Sequence, residues 1–226
     1  PARRGSKGVK GKNLKPLQGK PLVHYTFEIC KKLPKKFIFF LSTDSKKILK
    51  YSKKFGFEQK YLRPKKLSNS NSNIVDAVIH GVNWLEKVKN LSIKDIILLQ
   101  PTSPLRKVND FKKAFKIYND KRLSSLATVS KVYENSLRHI KLNSNKRKWK
   151  YVYKSTKRFN KRQDFPNNHF IANGNMYFCT LEFLKKHKSF LKPGYTYLYE
   201  TDRVSSIDID NNHDFLFANS ILSSEK

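Results

Sequence analysis

The sequence is short of acidic residues: 17 Asp and Glu stand against 48 Lys and Arg, which gives a formal net charge of +31. Such an imbalance points to polyanionic partners, so nucleic acid has to be considered. The lysines, however, occur in every segment, and long basic side chains are also common on an ordinary solvated surface. We therefore favour a solvated basic surface and treat binding of nucleic acid as the alternative.

Cysteine is also scarce, and long apolar runs are missing. Cys30 and Cys179 lie far apart in apolar surroundings, which excludes a disulfide framework and indicates buried free thiols in a reducing compartment. The longest apolar runs fall well short of the roughly 18 residues of a membrane span. We find no signal peptide and expect a cytoplasmic protein that does not enter the membrane. The histidines form no recognisable triad with Ser or Cys and an acid.

Two familiar phosphate motifs are absent. A P-loop starting at Gly5 would need glycine where Lys10 stands, and the G-x-G-x-x-G dinucleotide pattern does not occur. Residues 1–13 nevertheless combine glycine at every third position with five basic side chains. Such a segment can bring backbone N–H groups and cations to an anion, and a polyphosphate fits it best. The alternative is a disordered basic tail.

The hydrophobic pattern alternates between helices and strands. Helical spacing predicts helices over 21–33, 46–55, 74–88, 111–118 and 180–186, with a closing helix capped by Asn212. Short apolar runs predict strands over 37–41, 61–63, 95–99, 125–132, 175–179 and 206–210. This order predicts one α/β domain over 1–226, built in three layers around a mostly parallel sheet.

Two polar stretches lie where such a sheet binds ligands. Residues 100–104 follow the strand 95–99, and the carboxyl ends of parallel strands border the ligand crevice. The segment Ser206-Ile207-Asp208-Ile209-Asp210 alternates with period two, which puts both carboxylates on one face about 6.6 Å apart. Two hard carboxylates without a His/Cys set favour Mg²⁺ over Zn²⁺. The alternative is an ordinary strand end.

Four stretches of the chain together resemble one enzyme family. They are residues 1–13 with 19–22, Leu99–Arg106, Asn173-Gly174 and 206–210. In this order they are similar to the cytidylyltransferases that activate sialic acid and related nonulosonic acids as CMP-sugars. The resemblance implies a Rossmann-like nucleotidyltransferase fold, with CTP and a nonulosonic acid as substrates, Mg²⁺ as cofactor, and a homodimer. It also implies a short apolar strand directly before residue 1.

The resemblance assigns roles to individual residues. The implied catalytic set is Arg3, Lys7, Lys12, Asp208 and Asp210, with the two aspartates as metal ligands. CTP would contact Arg3, Ser6, Lys7, Lys12, Asn13 and Arg63. The sugar acid would contact Gln100, Arg138, Arg162 and Asn173, and an excursion over 133–164 would form the dimer contact. The chain departs from the family pattern in the Ser/Asn run 68–73, where the residues that read cytosine are left open, and at Ile171-Ala172, where an arginine is usual.

Two alternatives remain. The substrate could be the eight-carbon keto-sugar acid of lipopolysaccharide, although those relatives usually lack the Lys-Asn pair seen at Lys12 and Asn13. The chain could also be a basic nucleic-acid-binding protein on an inactive nucleotidyltransferase fold. Retention of both aspartates together with the whole basic loop argues for activity.

Overall fold

The computed structural model describes residues 1–6, 8–57, 59–132, 139–142, 149–153 and 169–224. The helices are α1 (Leu22–Lys31), α2 (Lys46–Ser52), α3 (Ile74–Lys89), α4 (Val108–Asp120), α5 (Leu181–His187) and α6 (Asn212–Ser224). The strands are β1 (Pro16–Leu17), β2 (Lys20–Pro21), β3 (Asp95–Leu98), β4 (Ser125–Lys131), β5 (Ile140–Leu142), β6 (Trp149–Tyr151), β7 (Phe170–Thr180) and β8 (Tyr197–Glu200). Along this part of the chain, no helix has both the length and the apolar character needed to cross a bilayer.

The largest sheet has the strand order β3-β7-β4-β8. β7 pairs antiparallel with both β3 and β4, whereas β4 and β8 pair in parallel. The sheet among the described strands is therefore mixed. Two smaller antiparallel pairs, β1 with β2 and β5 with β6, complete the pairing within the ranges given above.

Helices cover both faces of this sheet. Met176 and Phe178 of β7 pack with Phe111 of α4 in one buried cluster. Their neighbours Tyr177 and Cys179 point the other way, into a cluster that contains residues of α3 and α5. Because successive side chains of a strand alternate between faces, β7 connects two apolar cores. The expected three-layer α/β architecture is confirmed.

The segment 37–41 does not form the buried strand that its apolar run predicts. The backbone N–H of Leu41 donates to Oε1 of Gln59 at 2.8 Å, and the Gln59 amide donates back to the Leu41 carbonyl. An apolar cavity of about 190 Å³, lined by residues of both segments, lies between 37–41 and β3. Phe39 and Leu41 still pack in the core. The predicted burial of this segment is therefore confirmed, whereas the predicted strand is wrong. Residues 61–63 likewise form no strand.

Helix ends follow local hydrogen bonding. The Ser45 hydroxyl accepts from the N–H of Ile48 and caps α2, and Asn73 caps α3 through the N–H of Val75. At α6 the cap is Asn211, whose side chain accepts from the N–H groups of His213 and Asp214 at 2.8 and 3.1 Å. The prediction that Asn212 caps this helix is therefore wrong by one residue.

Candidate active site

Four segments that are distant in sequence border one cavity of about 340 Å³. They are the basic loop (residues 1–13), the stretch that runs from Arg63 to the start of α3, the turn after β3 (residues 100–106), and the acidic turn before α6 (residues 208–210). Eight of the residues singled out in the sequence line this cavity, namely Arg3, Ser6, Lys12, Asn13, Arg63, Gln100, Asp208 and Asp210.

The basic loop is anchored by two buried apolar residues. Ala2 is fully buried and Val9 is 3% exposed. Within the loop, Ser6 accepts a hydrogen bond from the N–H of Lys12 at 3.1 Å, and the Asn13 amide donates to the Arg3 carbonyl at 2.9 Å. These contacts exclude a disordered tail and give the loop a fixed shape. In this structure Ser6 and Asn13 hold that shape.

Gly8 brings the loop against the acidic turn. A Cβ at position 8 would lie 2.0 Å from the backbone oxygen of Asp210, a distance that no real side chain adopts. Only glycine therefore allows the two backbones to approach this closely. The sequence requirement at this position comes from the contact between the loop and the turn.

Lys12 joins the two segments through its side chain. Its ammonium group donates to the carbonyl of Ile209 and to Oδ1 of Asp210, the latter at 3.1 Å. The Lys12 side chain is 11% exposed, whereas that of Asp210 is 76% exposed. The Lys12 ammonium group thus lies against the acidic turn, next to Asp210, the more accessible of the two carboxylates.

The two aspartates face the cavity, although residues 206–210 form no assigned strand. A single backbone bond, from the N–H of Ile209 to the Thr102 carbonyl at 2.8 Å, ties this segment to the turn after β3. Ile209 is fully buried between the aspartates, so the predicted alternation is present without a ladder. The Asp214 carboxylate accepts from the N–H of Asp210 at 2.8 Å and fixes the end of the turn.

Asp208 is the buried member of the pair. Its Oδ1 is buried without a hydrogen-bond partner, and burial raises the pKa of the carboxyl group above its usual value. Oδ2 would lie 3.5 Å from a Cβ at Gly174, whose φ of +70° is in the left-handed region. A side chain at position 174 would therefore both strain the backbone and contact the Asp208 carboxylate.

The two carboxylates suit Mg²⁺ better than a metal ion whose ligands all come from the protein. No group of three or more His, Cys, Asp or Glu side chains converges within the described ranges. Mg²⁺ usually keeps several waters and takes one or two carboxylates together with substrate phosphates. The unsatisfied Oδ1 of Asp208, with Asp210 beside it, fits this donor set.

Arg63 is 5% exposed, and its guanidinium group is turned towards the protein interior. Nε donates to the Ser42 hydroxyl at 3.0 Å, and Nη2 donates to the Ser42 carbonyl. Burial lowers the pKa of this arginine. Arg63 thus borders the cavity while it also ties the stretch before α3 to residue 42.

The residues proposed for the sugar acid are divided in the structure. Gln100 lines the cavity. Asn173 is 6% exposed, and its amide nitrogen donates to the hydroxyls of Thr201 and Ser206 at 2.8 and 2.9 Å. Its amide oxygen accepts from Thr128 at 2.7 Å. The amide is therefore engaged within the protein. Lys7, Arg138 and Arg162 lie outside the described residues.

The sequence comparison identifies the family of this chain. A family model described as cytidylyltransferase matches residues 1–214. The chain belongs to the cytidylyltransferase family.

Relatives of this cytidylyltransferase include several sugar-acid enzymes. It is 28% identical to the CMP-N,N'-diacetyllegionaminic acid synthase of Legionella pneumophila, over 98% of this chain and 94% of that protein. It is 27% identical to the pseudaminic acid cytidylyltransferase of Campylobacter jejuni, over 96% of this chain and 92% of the relative. The N-acylneuraminate cytidylyltransferase of Escherichia coli is 28% identical, but the match spans only 50% of that longer protein.

Solved structures show the same fold at low identity. A CMP:2-keto-3-deoxy-manno-octonic acid synthetase complexed with CTP superposes with a TM-score of 0.65 at 14% identity, over 100% of this chain and 97% of the other. A cytidylyltransferase from Leptospira borgpetersenii gives a TM-score of 0.57 at 15% identity, over 98% and 84% of the two chains. The cytidylyltransferase described here therefore has the nucleotidyltransferase fold expected from its motifs.

The sequence patterns assigned no role to the residues of one wall of the cavity in this cytidylyltransferase, which are Leu67, Asn69, Ser70, Ser72 and Asn73. Thr102, within the turn 100–104 that was predicted to border the ligand crevice, also lines the cavity. By composition alone the Ser/Asn run is typical of a linker. Its position directly before the amphipathic helix α3 was the available signal, because Asn73 both caps that helix and faces the cavity.

Proposed function

We propose that this cytidylyltransferase transfers CMP from CTP to a nonulosonic acid, giving the CMP-sugar and pyrophosphate. The observation that carries the proposal is the shared cavity, where basic side chains, two carboxylates and Gln100 face the same space. The relatives that act on legionaminic, pseudaminic and acylneuraminic acids support the class of acceptor.

The cations of the basic loop would bind the triphosphate. CTP carries about four negative charges, and offsetting charge in place is the main task of a protein that transfers phosphoryl groups. Arg3 and Lys12 border the cavity, and Lys7 lies in the same loop. Arg63 and the Ser/Asn wall face the same cavity and would enclose the nucleoside.

The reaction needs positioning more than covalent chemistry. The anomeric hydroxyl of the sugar attacks the α-phosphorus in line, the bond to the β-phosphate oxygen breaks, and pyrophosphate leaves while the hydroxyl proton passes to solvent. Gln100 would orient the sugar acid, and the loop would hold the phosphates so that the two reactants meet.

We also propose Mg²⁺ as the cofactor, held by Asp208 and Asp210. When bound, this ion would offset phosphate charge and acidify the attacking hydroxyl, so that no separate general base is required. The unpartnered Oδ1 of Asp208 supports the assignment. With an excess of EDTA we expect pyrophosphate release to stop and added Mg²⁺ to restore it; full turnover in EDTA would exclude the ion.

The test of the reaction is pyrophosphate release from CTP with Mg²⁺ and a panel of sialic, legionaminic, pseudaminic and eight-carbon keto acids. Release with one nonulosonic acid confirms the proposal and identifies the substrate. Release with the eight-carbon acid alone would establish the alternative substrate. The likeness to the octonic acid synthetase does not favour that substrate, because at 14% identity it shows only the fold. No release with any acid, together with DNA binding that falls steeply with salt, would support the nucleic-acid alternative.

We further propose a cytoplasmic homodimer. The described part of the excursion 133–164 exposes apolar side chains at about half of their surface, namely Ile140, Tyr151, Val152 and Tyr153. Such a group is typical of a protein interface. Light scattering after gel filtration should give twice the chain mass, and a monomer at micromolar concentration would exclude the dimer.

Buried free thiols at Cys30 and Cys179 support a reducing compartment.

A further inference from the structure

Arg106 ends the polar turn after β3 but does not line the cavity. It is 4% exposed, and burial lowers its pKa to about 10, so the guanidinium remains charged at neutral pH. No carboxylate lies within ion-pair distance of Arg106 among the described residues. A buried cation is retained at such a cost only where its hydrogen bonds are satisfied in another way.

The guanidinium donates to backbone oxygens of two segments at once. Nη2 donates to the Gln100 carbonyl at 2.8 Å and to the Asn175 carbonyl at 2.7 Å. Nε donates to the same Asn175 carbonyl at 2.9 Å and to the Asn175 side-chain oxygen at 2.8 Å. Nη1 reaches the Thr26 hydroxyl of α1 at 3.3 Å. Arg106 therefore connects the turn after β3, strand β7 and helix α1.

These contacts reach the acidic turn through Asn175. Its side-chain nitrogen donates to the Ser205 carbonyl at 2.6 Å, three residues before Asp208. The preceding residue, Gly174, lies where a Cβ would be 3.5 Å from Oδ2 of Asp208 and 3.6 Å from Nε2 of Gln100. The contacts of Arg106 thus lead, through Asn175 and its neighbour Gly174, to both of these groups.

We propose that Arg106 is a positioning residue that fixes Gln100 relative to Asp208, and so sets the sugar acid against the α-phosphate. The assignment rests on the proposed function. A planar fork can bridge two backbone carbonyls with fixed geometry, whereas the single ammonium of lysine keeps the charge without that geometry. Charge and geometry can therefore be separated by substitution.

The kinetic test compares Arg106→Lys and Arg106→Met with the exposed control Arg122→Lys. We expect kcat to fall about 10- to 100-fold in both Arg106 variants, as a small misplacement of reacting groups does. The KM for CTP should change less than threefold because other walls hold the nucleotide. Turnover of Arg106→Lys within threefold of the parent would overturn the proposal. A parallel fall in CTP affinity and in melting temperature would also overturn it, because that result would indicate a purely structural role.

A second measurement does not depend on turnover. In protein labelled with ¹⁵N at its glutamines, Gln18, Gln59, Gln100 and Gln163 give the side-chain amide signals, and Gln100→Glu identifies that of Gln100. Arg106→Lys should shift the Gln100 amide while the Gln18 and Gln59 signals stay in place. An unchanged Gln100 signal would overturn the proposal. If the parent turned over no acid and the signal shifted, the proposed function would fail while the positional link would stand.

Discussion

The two sides of the cavity use their polar residues differently. On the loop side, made of residues 3–13 and 208–210, charged groups reach the cavity, and the Asp210 side chain is 76% exposed. On the sheet side, made of residues 100–106 and 173–175, Asn173 and Arg106 are nearly buried and direct their hydrogen bonds into the protein. Residues of one family motif can therefore either face a ligand or hold the groups that do. Substitutions on the two sides should separate loss of turnover from loss of stability.

The largest effect is expected on the loop side. Lys12→Ala or Asp210→Ala should lower turnover about 1000-fold, because each removes a charge from the place where phosphate charge develops. The fold should survive, since an ion pair with one exposed partner contributes little to stability. Pyrophosphate release and circular dichroism measure the two quantities.

The matched control for Lys12 is Lys10→Ala. Lys10 is an exposed lysine of the same loop and does not line the cavity. Near-normal turnover in Lys12→Ala or Asp210→Ala would show that the assigned role is wrong.

Asp208→Asn should lower the activity and raise the stability of the protein. Turnover should fall about 100-fold with the loss of a charged ligand. A neutral amide in place of the buried carboxylate removes the cost of burying its charge, about 1 kcal/mol, so the melting temperature should rise by about 2–4 °C. Differential scanning calorimetry at neutral pH measures the shift, and a lower melting temperature would contradict it.

The pH dependence has a definite sign. The raised pKa of Asp208 means that the folded chain binds this proton more tightly than the unfolded chain. Loss of this proton therefore lowers the free energy of unfolding as the pH rises through the folded-state pKa. This decrease should disappear in Asp208→Asn. In metal-free protein the unfolding free energy of the parent, relative to Asp208→Asn, should therefore fall as the pH rises above the usual carboxyl value of about 3.9, which urea titrations measure. An equal pH dependence in the two proteins would contradict this sign.

Glycine substitutions test the contact between the basic loop and the acidic turn. Gly8→Ala should lower kcat/KM for CTP by about 10- to 100-fold, because its Cβ would overlap the Asp210 backbone and displace the loop. Gly5→Ala is the control, since a Cβ there meets nothing within 4 Å. Equal kinetics in the two variants would show that this close approach does not position the phosphates.

The smallest effect on activity is expected at Asn173 on the sheet side. Asn173→Ala leaves several buried partners unsatisfied, so the unfolding free energy should fall by about 2 kcal/mol in urea titrations. The KM for the sugar acid should change less than threefold if the amide serves only the internal network. A large rise in that KM with unchanged stability would instead establish the direct sugar contact that the family resemblance implies.

Local sequence patterns anticipated the helices and three strands of the largest sheet. Periodic apolar positions after the basic loop predicted α1, α2 and α3 to within a few residues, because helices satisfy their own backbone and need only one apolar face. Short apolar runs predicted β3, β4 and the carboxyl-terminal half of β7. The segment 37–41 was less predictable. A strand requires a partner, and here the Gln59 side chain bonds Leu41 while a cavity separates the segment from β3.

Residue types and their order determined the chemistry of this chain: a glycine-rich cationic loop, a pair of carboxylates with period two, and a polar turn after a strand. Only the tertiary structure decided which of these groups meet. The contact of Gly8 with Asp210, the burial of Asn173 and the bridge through Arg106 all join residues far apart in sequence. The physical reason is that accessibility and hydrogen-bond satisfaction depend on packing between elements, which a local pattern does not encode.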